Sequence, residues 1–291
     1  MGGERLKIIL SLTPPLLIIF TLFFGGIFYG FLQSLGYQPA IGKYEINFSA
    51  YYNVMFSERY AKLFWTGLGL NLWVSFASTF LAAVFALFGA LAIRKTFFAK
   101  TICNFIYSLN LPMPHLVVAV GIIFVFSQSG LLARFASQIG LIGSPGDFPV
   151  LVKDKYGLGI ILAYIWKEAA FFFIILMSLL QSLGENFEEL AQSLGANRWQ
   201  RFRYVILPLV MPNLFSASII VFAFSFGAYE VPALLGVIYP QMLPVMAFEF
   251  FLNPDLNARS EGMALSIIIA IIVMILVVFY FWLTQAKIRK D

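Results

Sequence analysis

Six apolar runs, each long enough to cross a hydrocarbon core, dominate this chain and restrict it to a narrow set of folds. A bilayer core about 30 Å thick takes roughly 20 apolar residues as an α-helix, because backbone N–H and C=O groups must pair within the segment itself. The runs cover about residues 8–33, 63–93, 109–126, 158–183, 206–235 and 263–283. Hydrophobic residues make up 61% of the chain and charged residues 11%, and the mean hydropathy is +0.89, well outside the range of a soluble domain. The expectation is an all-α membrane protein with about six transmembrane helices.

The first run follows Arg5 and Lys7 as the apolar part of a signal peptide would. It is too long for one and no small-residue cleavage site closes it, so it is expected to stay as an anchor helix. No linker or low-complexity tract divides the chain. A single membrane domain over 1–291 is expected, with the anchor at 8–33, a core at 63–288 and a polar loop at 184–204.

Orientation follows from lysine and arginine. The short segments holding Arg94, Lys95, Lys100, Arg198, Arg201, Arg203, Lys287, Arg289 and Lys290 are densely basic, whereas the alternate segments mix Lys43, Arg59 and Lys153 with Glu45, Glu58, Asp147 and Asp154. The positive-inside bias then puts both termini in the cytoplasm. The net charge of +5 fits that bias and contact with anionic lipid, and it calls for no nucleic-acid partner.

Several functions are excluded by what is missing. Cys103 is the single cysteine and His115 the single histidine, so neither an intrachain disulfide nor a Cys/His metal cluster can form. No Gly-x-x-x-x-Gly-Lys-Ser/Thr phosphate loop, Gly-x-Ser-x-Gly elbow or His-Glu-x-x-His pair occurs. No catalytic residue, metal site or cofactor is expected in this chain.

The polar loop is the segment most unlike the rest. Glu185, Glu188 and Glu189 precede Ala191 and Leu194, a helix start with acid at the positive end of the dipole. Gly195 and Asn197 interrupt it, and Arg198, Trp199, Arg201, Phe202 and Arg203 begin a second amphipathic stretch. Two short helices hinged at Gly195 are expected. An interfacial loop, with Trp199 and Phe202 among lipid headgroups, has the same composition.

Order and spacing favour docking. Glu189-Leu190-Ala191, then three residues, Gly195, nine residues, and Val205-Ile206-Leu207-Pro208 resembles the last large cytoplasmic loop of permease subunits in binding-protein-dependent ABC importers. Leu190 stands for an alanine and Val205 for an isoleucine of that pattern. The resemblance covers about residue 63 to the C-terminus and implies a type I importer fold. It further implies that Glu188, Glu189, Ala191, Gly195, Ala196, Arg198 and Pro208 belong to the element coupled to the ATPase. The implied partners are two ATPase subunits carrying ATP and Mg, a second permease that is a paralogue or an identical chain, and an extracytoplasmic solute-binding protein.

Polar groups inside a membrane are costly and therefore worth naming. Glu230, with Tyr229 and Phe226 beside it and Asn71 on the second run, is the candidate substrate pathway. The stretch from Tyr229 to Gly236 resembles the polyamine, iron, thiamine and phosphonate branch, and a carboxylate at Glu230 suits an amine. Lys167 and Glu168 are sequence neighbours that cannot face each other, so each is expected to find a partner on another helix. Pro112 and Pro114 should break the third run ahead of His115 and expose backbone groups there. A six-span secondary transporter or channel that needs no ATPase is the alternative.

Overall fold

The structure, a computed structural model, describes residues 2–94, 97–182 and 186–288. Lys95, Glu185, Arg289 and Lys290 lie outside these, as do the side chains of Arg5, Lys7, Lys100 and Lys287. Among the described residues there is no strand, and six helices are long and apolar enough to span a membrane. The chain divides into two compact units, 1–65 with 246–272 and 66–245 with 273–291. The limits fall within continuous helices rather than at linkers, so no Gly- or Pro-rich signal marks them in the sequence.

The first unit contains α1 (Gly2–Ser34), α2 (Ser49–Phe56), the start of α3 (Ala61–Ile93), most of α12 (Leu243–Leu252) and the first half of α13 (Ala258–Ile288). Its core gathers Leu35, Ala50, Val54 and Phe64. Ser34 Oγ and Tyr51 Oη lie 2.7 Å apart, the Gln38 amide and the Ser260 hydroxyl 2.6 Å, and Asn53 Nδ2 donates to Glu261 Oε1 at 3.2 Å. The short helix α12 is absent from the sequence expectations: ten residues that include Glu249 are too few to announce a span. Gly262 lets α13 approach α12, since a Cβ there would lie 2.8 Å from the Ala247 carbonyl oxygen.

The second unit is organised around α7 (Leu158–Ser182), the most buried of the span-length helices. Along its C-terminal half Phe172, Phe173 and Leu176 pack with a small-residue stripe of α3, Ala82, Ala86 and Ala90, and with Val210 and Val221 of α10 (Leu207–Gly227). Tyr107 of α4 (Phe97–Asn110) stacks on Phe173 with centroids 4.0 Å apart. Near its N-terminus Ile160 and Tyr164 pack with Val118 and Ile122 of α5 (His115–Phe126) and with Val231 and Leu235 of α11 (Glu230–Leu235). Helix α6 (Leu131–Gln138) follows α5, and α8 (Asn186–Ser193) and α9 (Arg198–Arg201) occupy the polar loop.

Two expected spans are not continuous. The third is cut at Leu111–Pro114, so α5 starts at His115 and α4 is a separate helix; Pro112 and Pro114 have no N–H to give a helix. The fifth stops at Gly227, and Ala228 is extended (ψ 134°) before α11 begins at Glu230. A continued helix would set the Pro232 ring against the Ala228 carbonyl, and the break relieves that clash.

Candidate functional site

Helix α8 ends in a Schellman turn. Gly195 adopts φ +87°, its N–H donates to the Gln192 carbonyl at 3.0 Å, and the Ala196 N–H donates to the Ala191 carbonyl at 3.0 Å. This is why glycine stands at 195: the left-handed residue must be nearly free of Cβ strain. Asn197 then caps the next helix, its Oδ1 accepting from the Gln200 N–H at 2.9 Å while Gln200 Oε1 accepts from the Asn197 N–H at 2.8 Å. Arg201 Nη1 reaches back to Gln192 Oε1 at 2.8 Å and ties the two helices together.

The second loop helix is not separate, as the sequence suggested. From Arg198 the chain runs through a π-helical turn (Phe202–Ile206) straight into α10. Pro208 has no N–H for the Tyr204 carbonyl, and the wider turn just before it absorbs the mismatch. A push on the loop is therefore a push on a membrane-spanning helix.

One face of the loop is apolar and open. Leu194 is 80% exposed, and Phe187, Leu190 and Trp199 are also exposed. Glu189, Gly195, Arg198 and Pro208 lie on the exposed surface, with Ala191 and Ala196 half-buried. Glu188 differs: it is 7% exposed and forms an ion pair with Arg94, just beyond the end of α3. Its sequence neighbours Glu189 and Leu190 face outward, so these adjacent positions serve opposite sides of α8.

A second polar centre lies at the break between α4 and α5. Lys167 Nζ donates to the carbonyls of Asn110 (2.7 Å), Leu111 (2.8 Å) and Met113 (2.7 Å). Asn110 Nδ2 returns a bond to the Trp166 carbonyl at 2.7 Å. His115 Nε2 and Glu168 Oε1 are 3.1 Å apart, and the imidazole lies against Phe224, centroids 4.7 Å apart. Lys167 and Glu168 thus each find a partner across from α7.

The candidate pathway residues separate into two groups. Tyr229 and Glu230 are exposed at the break between α10 and α11. Asn71 and Phe226 are fully buried, and Asn71 Nδ2 donates to the Phe226 carbonyl at 2.9 Å. That bond supplies a donor near the end of α10, a structural task the sequence did not indicate. Among the described residues no group of three or more His, Cys, Asp or Glu is placed to hold a metal ion.

Residues 82–289 match the family model described as the binding-protein-dependent transport system inner membrane component. The chain belongs to this family. Among its relatives, the ferric transport system permease protein of Actinobacillus pleuropneumoniae is 28% identical over 220 residues, 74% of this chain and 30% of the relative. The sulfate transport system permease protein of Salmonella typhimurium is 29% identical over 161 residues, 54% of each chain. The chain spans only 30–33% of the length of several relatives that it matches. Its fold is similar to that of a solved bacterial ABC transporter involved in import of the acidic polysaccharide alginate, with a TM-score of 0.77 and 22% identity over 97% of this chain and 96% of the other.

Proposed function

We propose that this chain is the membrane-spanning permease subunit of an ATP-driven importer and that the α8–α9 loop docks on a cytoplasmic ATPase. The observation that carries the proposal is the loop itself: an exposed apolar face around Leu190 and Leu194, on a turn fixed by Gly195, joined without interruption to α10. Exposed leucines on a polar, capped element away from the apolar spans call for a protein partner rather than solvent. ATP-driven closure of two ATPase subunits then rotates α10 and shifts the access of a pathway formed with a second permease. ATP and Mg belong to the ATPase, and an extracytoplasmic binding protein delivers the solute. Both termini face the cytoplasm in this arrangement, as the basic loops require.

The solute is a small polar or charged molecule. Exposed Glu230 and Tyr229 at the broken α10–α11 joint support this, since an unwound joint offers backbone groups as well as a carboxylate. Relatives named for ferric and sulfate transport carry cargo of opposite charge. A polyamine is accordingly one case of the class, resting on the Glu230 carboxylate alone.

Purification from native membranes tests the docking reading, with wild type beside Gly195→Asp. A stoichiometric ATPase that copurifies with wild type and is lost in the variant is the expected result. Transport-competent protein that comes away without an ATPase would instead favour a secondary transporter or channel.

A further inference from the structure

We propose that Arg94 and Glu188 form an internal joint that carries movement of the docking loop into α3, so that the loop drives two spans and not α10 alone. The proposal rests on the docking role of the loop given above.

The pair is placed for that task. Glu188 sits in the first turn of α8 and turns away from the exposed face, and Arg94 is the residue immediately after α3. Their side chains are 9% and 18% exposed, so both charges are largely withdrawn from solvent. Together with Leu180, Phe187, Ile206 and Leu209 they line a narrow cleft of about 20 Å³. On the outer surface of the same region Phe88 of α3 stacks on Phe202 of the π-helical turn, centroids 6.5 Å apart.

An apolar contact lets two surfaces slide, but a withdrawn ion pair does not. Separating the charges in a low-dielectric site strands each one, so a displacement of α8 has to carry the end of α3 with it. The same physics gives the pair little net value for stability when intact, which points to a mechanical use. The sequence assigned Arg94 to the positive-inside bias, and its actual partner lies within the protein.

The test uses the complex copurified with its ATPase, held without nucleotide or trapped with ATP, Mg and vanadate, and compares R94E, E188R and the R94E/E188R exchange. Hydrogen exchange is followed on peptides from the loop (186–201) and from the end of α3 (82–94), so no solute is needed. Wild type is expected to show nucleotide-dependent changes in both segments. Each single variant should keep the change in the loop and lose at least two-thirds of it at the end of α3, and the charge exchange should restore it. Undiminished change at α3 in the single variants overturns the joint. Recovery of thermal stability in the exchange without recovery of the α3 change also overturns it, reducing the pair to a structural contact. Wild type that carries no ATPase overturns the docking reading, and the joint with it.

Discussion

Lys167 Nζ donates to the Met113 carbonyl across 2.7 Å, closing from α7 a gap that two prolines open between α4 and α5. With the bonds to Asn110 and Leu111, all three ammonium hydrogens are used on carbonyls at the break, of which that of Asn110 also accepts from the Met113 N–H at 3.2 Å. The break is therefore a fixed elbow held by a tethered cation, not a loose hinge.

Lys167→Met keeps the aliphatic volume and removes the donors. Leaving the Leu111 and Met113 carbonyls unpaired should cost about 2–4 kcal/mol, seen as a lowered midpoint of thermal unfolding in detergent. An unchanged midpoint would mean that the carbonyls find other donors and that the elbow does not depend on Lys167.

Asn71→Leu tests the other break. The Phe226 carbonyl loses its side-chain donor, for an expected cost of about 1–3 kcal/mol. Because Glu230 follows that carbonyl across the break, the variant should also increase proteolytic cleavage near Ala228. Wild-type resistance to protease would count against the bond as the support of the joint.

Gly195 separates backbone strain from crowding. A Cβ at this position meets nothing within 4 Å, yet φ is +87°. Gly195→Asn, which tolerates the left-handed region, should keep most ATPase association, whereas Gly195→Val should weaken the turn by about 1–2 kcal/mol and reduce it. Equal retention of ATPase by both variants in copurification would refute the strain account.

Gly67 and Gly69 make a matched pair on α3. A Cβ at Gly67 would lie 2.6 Å from the Gln241 carbonyl oxygen, whereas one at Gly69 meets nothing within 4 Å. Gly67→Ala should destabilise by about 1–3 kcal/mol, while Gly69→Ala should be neutral or stabilise by up to about 1 kcal/mol. Thermal unfolding of the two variants side by side decides it; similar midpoints would contradict the close approach at Gly67.

By itself the sequence determined the local features of this protein. Runs of about 20 apolar residues fix spans because a lone helix in lipid must satisfy its own backbone, and the turn at Gly195 is legible because glycine is the residue that left-handed backbone demands. The break before His115 was readable from Pro112 and Pro114 for the same local reason. Tertiary structure alone decided which distant groups meet: Lys167 with the Asn110 carbonyl, Glu188 with Arg94, and Asn71 with the carbonyl of Phe226. Helices apolar all round carry no periodic signal of which face turns inward, and on the polar helix α8 two adjacent glutamates look alike, so nothing local says that Glu188 is buried and Glu189 exposed. The second break, at Ala228, escaped notice because a single proline within an apolar run is compatible with a kink or a break, and the donor on Asn71 is what holds it as a break.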